Sequence, residues 1–455
     1  MRLVPEASDA GPLAHAAAGH SSRLRTNLAA ARRWLRSPPV VTAEIVAIAA
    51  LGALMTIVPQ ADGGDGKAAR LAAAHPAVAA WIRALQLDRI TSSAWFLAAL
   101  TLAGASLAVV LVDQWRTLFR LWGAPLTEAS FRTAPYRREL ARPALRASPP
   151  GARSVTLSSR GRIGLAGSPV FHLGLMIVVI AGLVRALLGQ DAVVRLIEGE
   201  TLPPDPAAYG AQWGGPVAAP FALDAPLRFD QLIPARYASG EIERLAARVG
   251  GVDAAGRAVE LAVNTPLDLG DERLYLSALH GPAALVEASA GARRERVAAM
   301  LQETAEWGTY EATVFISSGL QLRLRGKIGP DSKVPSHLEA RVLRRGGLLF
   351  LGAIGEGDTI ALPGGETVSL RSIRYWAEFR GSRDPSATLA YVGFALVMLG
   401  ALVMFAVIKV DTAVVVEATE TGERVLLALR AQRFAPLFAE RFERLVEEQA
   451  GRTAV

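Results

Sequence analysis

The sequence predicts an α-helical membrane protein that carries one large β-rich domain outside the bilayer. Half of its 455 residues are hydrophobic (51%), and they concentrate in four runs: Val40–Val58, Ala94–Val112, Pro169–Leu188 and Ala387–Ile408. Each run is long enough to cross a hydrocarbon core of roughly 30 Å at about 1.5 Å per residue. Between the third and fourth runs, the apolar residues instead alternate at a period of two. Arginines gather in the segments flanking the first three runs.

In chain order, these observations give a basic leader at 1–39 and a membrane region at 40–188, with spans at 40–58, 94–112 and 169–188. A basic loop at 113–168 separates the second and third spans. The β-rich domain follows at 189–386, then a fourth span at 387–408 and a tail at 409–455. The first run is expected to be a retained span. It is too long for a signal-peptide core and ends in Val58-Pro59-Gln60 rather than a small-x-small cleavage site.

Charge sets the expected orientation. The leader holds Arg23, Arg25, Arg32, Arg33 and Arg36. The loop between spans two and three holds Arg116, Arg120, Arg132, Arg137, Arg138, Arg142, Arg146, Arg153, Arg160 and Arg162 against Glu128 and Glu139. Positive loops stay in the cytoplasm, which puts both termini there and the segments 61–93 and 189–386 outside. In a bacterium this describes a multi-pass protein of the inner membrane with a periplasmic domain. The net charge of +7 therefore reports topology and attraction to membrane lipid, not nucleic-acid binding.

Alternating stretches such as Ala258–Val263, Leu320–Arg325 and Val368–Ile373 read as strands. Gly250-Gly251, Gly329-Pro330-Asp331 and Pro363-Gly364-Gly365 read as the turns between them. Ala292–Trp307 reads as a helix. Glu423–Glu448 reads as an amphipathic helix, lying on the membrane, against a partner or simply packed.

The chain has no cysteine, so it offers no disulfide, thiolate ligand or thiol exchange of its own. It has no phosphate-binding glycine loop, no His-Glu-x-x-His helix and no Gly-x-Ser-x-Gly elbow. A catalytic residue is therefore not assigned. His172 is the residue that asks for a function, because an ionisable side chain in an apolar span is costly and marks a binding or proton-handling site. The alternative is an interhelical hydrogen bond, worth about 0.6–2 kcal/mol. Gly174, Gly182, Gly393 and Gly400 are read as positions of close helix approach.

Several stretches in order resemble the cytochrome c biogenesis proteins of the ResB (CcsB) family: Trp34-Leu35-Arg36-Ser37 before span one, Val58-Pro59-Gln60 after it and Ser93-Ala94-Trp95-Phe96-Leu97 opening span two. Phe171-His172-Leu173-Gly174, Leu227-Arg228-Phe229-Asp230, Val263-Asn264-Thr265-Pro266-Leu267 and Asp384-Pro385 continue the series. The resemblance covers about residues 34–410. It implies a membrane subunit that helps export haem and present it with apocytochrome c for thioether attachment. It also implies a multispan ResC/CcsA-type partner with a tryptophan-rich haem-handling loop, and a separate thioredoxin-like thiol reductant. On that reading His172 becomes a candidate axial ligand to haem iron, since neutral imidazole is a good one, with Met176 one turn on as a competitor or a packing residue. His280 is a weaker candidate on the outer side, and Arg185 either snorkels to headgroups or pairs a haem propionate. Trp95 and Phe96 belong to an interfacial aromatic belt or stack on haem. His15, His20, His75 and His337 are read as solvated. The competing function is a membrane-anchored scaffold without haem, whose outer domain binds another protein. A transporter half lacks support, because the spans show neither an acidic pair nor an inverted repeat.

Overall fold

The structure is a computed structural model that describes residues 26–451 except 62–66, 145–148, 238, 240, 252–257, 330 and 332. His15, His20, Arg23, Arg25 and Arg146 lie outside the described residues. Among the described residues, four helices are long and apolar enough to cross a membrane: α1 (Pro38–Ile57), α2 (Ala94–Gly123), α3 (Gly164–Leu188) and α4 (Ala387–Ala406). This is a membrane protein. Two of the four helices precede the first strands of the chain, the third follows those strands, and the fourth comes after the large β-rich segment.

Local sequence explains the helix ends. Pro38 opens α1, where the missing amide costs nothing because first-turn N–H groups have no helical partner. Ser93 caps α2 by accepting the Phe96 amide at 3.2 Å. Glycines govern the packing of α3 on α4. A Cβ on Gly174 would stand 2.5 Å from the Val397 nitrogen, and one on Gly400 would stand 2.3 Å from the Phe171 nitrogen. Gly167 and Gly174 on α3 thus face Met404, Val397 and Gly393 on α4 at backbone distance. Gly182 is different: its nearest neighbour is a Leu100 methyl on α2 at 3.0 Å.

The chain divides into two compact units, one comprising 1–58, 93–183 and 386–455, the other 59–92 and 184–385. In the first unit, strands from the loop between α2 and α3 and from the tail build a four-stranded antiparallel sheet. Its order is Tyr136–Arg142, Gly422–Ala431, Val410–Thr419, Arg153–Arg160. A terminal helix, α5 (Ala439–Ala450), lays Phe442 and Val446 on the buried Val425, Leu427 and Leu429. This corrects the single helix read over Glu423–Glu448. Its first part is a strand in which alternate residues turn inward, and only the second part is helical. The helix is amphipathic as expected, and its apolar face is covered by this sheet.

The second unit holds a seven-stranded, a five-stranded and a four-stranded sheet around one continuous apolar core. The long strands Glu272–Ala290 and Thr367–Arg383 pair antiparallel along most of their length and form its spine. Alternation reads correctly here: Leu320, Leu322 and Leu324 are buried while Arg323 and Arg325 face solvent. The helix read over Ala292–Trp307 is instead a strand, Arg293–Met300, followed by the short strand Gln302–Glu303. Gly291, at a φ of +59°, turns the chain so that Arg293 pairs back on Ala290. An alanine- and arginine-rich composition favours a helix locally, but the open edge of a long neighbouring strand overrides it.

Candidate functional site

His172 sits in the third turn of α3, half-buried, with the Phe171 ring edge-on at 5.4 Å. Its Nδ1 lies 2.8 Å from the Ser168 carbonyl one turn earlier. A carbonyl can only accept, so Nδ1 carries the proton and Nε2 keeps its lone pair. Gln114 on α2 reaches that lone pair with its amide nitrogen at a long 3.5 Å. The Gln114 oxygen in turn accepts the Ser168 hydroxyl at 3.3 Å. The imidazole is therefore oriented by a strong local bond and held at its reactive nitrogen by a weak one. Ring N–H to backbone carbonyl is the arrangement that fixes the tautomer of metal-binding histidines and raises their basicity. Met176 follows one turn later, also half-buried.

A neighbouring face of α2, turned toward α1 and the residues before it, bears further polar groups. Asp113 pairs with Arg36 at 2.8 Å and also with Arg32. One heptad earlier, the buried Ser106 donates to the buried Glu44 of α1 at 2.6 Å. Sequence reasoning missed this set. Glu44 stands openly in the first apolar run, whereas Asp113 and Gln114 fall just past the point where the second run was ended. The spans thus contain acids, each matched to a hydroxyl or guanidinium rather than to a second carboxylate. Among the described residues, no group of three or more His, Asp or Glu side chains could hold a metal ion. Any metal ligation at His172 rests on one imidazole and on what is bound to the iron from elsewhere.

The other predicted residues fall in separate places. His280 follows a bulge of Glu272–Ala290, where three residues face one on the partner strand. It is 7% exposed, and Nδ1–H donates to the Ala278 carbonyl at 2.9 Å. Its Nε2 is buried with no partner among the described residues. Burial first of all pushes its pKa down, and the nearby Arg236 adds to this, while Glu303 opposes it. The imidazole is turned into the domain, away from a ligand arriving at the surface. Arg185, at the end of α3, is paired with Asp191 at 2.6 Å and Asp384 at 3.6 Å. A propionate would have to displace a carboxylate there. Trp95 is exposed at the start of α2, and His75 and His337 are exposed as well.

Comparison with known proteins supplies the family. The model of the ResB-like family matches residues 43–319, more than half of the chain. The chain belongs to the ResB-like family. Among its relatives is the cytochrome c biogenesis protein CcsB of Synechococcus sp. (strain JA-2-3B'a(2-13)), to which it is 24% identical over 438 residues. That alignment covers 89% of this chain and 89% of the relative. The family match takes in most of α1, all of α2 and α3 and much of the β-rich unit, so both His172 and His280 fall within it.

Proposed function

We propose that this ResB-like chain works in cytochrome c biogenesis, as a membrane subunit that holds haem in transit through His172. The family and the name of the relative support the biogenesis role. The observation that carries the haem assignment is the Nδ1–H bond to the Ser168 carbonyl, which turns the Nε2 lone pair to the task of ligation. Gln114, at 3.5 Å, keeps that nitrogen occupied by a bond weak enough to yield to iron.

His172 would bind at the end of α3 that follows the arginine-rich loop, which is the cytoplasmic side by the positive-inside rule. The residues available on this chain provide one axial ligand. The second comes from a multispan partner of the tryptophan-rich-loop type. What haem supplies when bound is a pair of vinyl groups to which reduced cysteine thiols of an apocytochrome c can add. This chain, with no cysteine of its own, leaves the thiols to the apocytochrome and their reduction to a separate thioredoxin-like protein. Its contribution is positioning, with the β-rich unit on the outer side of the inner membrane to receive the apocytochrome.

The test is to purify the full chain with and without its partner and record the haem absorbance of wild type and His172→Ala. Loss of the haem band, together with loss of mature c-type cytochromes in cells, is expected. Unchanged haem content and normal maturation in the variant would remove His172 from the role. Intact c-type cytochromes after deletion of the gene would favour the scaffold reading.

A further inference from the structure

The small sheet of the first unit and α5 flank an open cavity of about 450 Å³ that the haem reading does not use. Three guanidiniums line it: Arg160 from the last residue of one edge strand, and Arg441 and Arg444 from one face of α5. Two hydroxyls, Ser158 and Thr412, stand opposite each other in the strand register of the same wall. Glu448 is the single carboxylate in the lining.

The pairing pattern around this cavity is selective. Arg138 is matched to Glu443, Arg142 to Glu423 and Lys409 to Asp411. Arg160, Arg441 and Arg444 have no side-chain hydrogen bond or ion pair among the described residues, although Glu440, Glu443 and Glu447 belong to the same helix as two of them. Three unmatched cations and two hydroxyl donors converging on one hollow make a receptor for a tetrahedral oxyanion.

Connectivity says where that anion comes from. Arg160 precedes the first residue of α3 by four positions, and Val410 in the same lining follows the last residue of α4 by four. Four residues reach at most about 14 Å, and the headgroup layer beyond the hydrocarbon core is itself roughly 5–8 Å deep. The cavity is therefore tethered beside the lipid headgroups at the membrane face where α3 begins and α4 ends. We propose that it binds the phosphate of an anionic phospholipid, clamping the small domain to the bilayer.

The test uses the full chain, reconstituted in nanodiscs of phosphatidylcholine with or without phosphatidylglycerol and then extracted for native mass spectrometry. Phosphatidylglycerol is expected to be retained over phosphatidylcholine, and Arg160→Gln with Arg444→Gln is expected to cut that preference roughly tenfold. Arg323→Gln, an exposed arginine of the other unit, should leave it unchanged. If the double variant fails to fold, the single exposed Arg444→Gln is read instead, with a smaller loss expected. A second arm titrates inorganic phosphate against the protein in neutral detergent and follows its thermal unfolding. Arginine-dependent stabilisation by phosphate without lipid preference would overturn the lipid assignment in favour of a soluble phosphate. Equal lipid retention in wild type and variants would overturn the site itself.

Discussion

At the scale of single residues, the two buried or half-buried histidines solve the same problem differently. Both donate Nδ1–H to a backbone carbonyl close in sequence. His172 offers its remaining nitrogen to Gln114, while His280 offers it to nothing among the described residues. Gln114→Ala removes the weak partner of His172 and the acceptor of the Ser168 hydroxyl, so at about 0.6 kcal/mol per interhelical hydrogen bond it should cost on the order of 1 kcal/mol. It should leave haem retention near the wild-type level, in contrast to His172→Ala. Comparing absorbance per protein for the two variants checks this, and equal loss in both would mean that Gln114 binds the ligand too.

His280 makes a prediction about pH. Its folded-state pKa is lowered, chiefly by burial, so as pH falls below about 6.5 the unfolded chain takes up the proton first. Stability contributed by the neutral imidazole is thus present above that pH and declines on acidification until the folded state also protonates. His280→Leu should flatten the fall in unfolding temperature between neutral and mildly acidic pH, measured against wild type in the same buffers. An unchanged slope would show that other groups carry the acid sensitivity.

His172 could be singled out from sequence because an imidazole in an apolar run is conspicuous in one dimension. Its partner could not, since Gln114 lies 58 positions away and meets it only when two helices pack. Glu44 and Ser106 are separated in the same way, by 62 positions. The inward turn of His280 depends on a bulge, and a bulge is visible only once two strands are in register.

Among the elements, spans were legible and the small domain was not. Apolar length alone locates α1 to α4, and the glycines of α3 and α4 do mark a close approach. In the tail, Val425 and Leu429 suit a helix as well as a strand, because a spacing of four satisfies both periods. What decides for a strand is the supply of partners from a loop some 280 residues earlier. That sheet is locked by Arg142 and Glu423, whose side chains are 6% and 9% exposed and 2.9 Å apart, with Gln449 of α5 taking a further guanidinium bond. Glu423→Ala leaves a buried cation without its carboxylate and should destabilise the small domain by about 3–5 kcal/mol. Chemical denaturation followed by proteolysis at the sheet reads this loss, and a change below about 1 kcal/mol would show that water reaches Arg142 freely.

For the whole molecule, the strand order of the small sheet reaches beyond packing. Its two edge strands come from the loop between α2 and α3, and both central strands come from the tail after α4. The edges do not touch each other, so they have nothing to pair with until residues 410–431 have been made. A ribosome emits the edge strands early and the centre of the sheet last, after the β-rich unit and the fourth span. Closure of this sheet is thus possible only on a chain whose final span has brought its tail back to the side of the loop. Truncation after Ile408 should leave the 136–160 segment open to protease in membranes while α1 to α4 remain inserted, as protease mapping of the two forms would show. A half-made or misthreaded chain leaves these two strands without a partner on either side, whereas a correctly inserted one pairs each of them along its inner side.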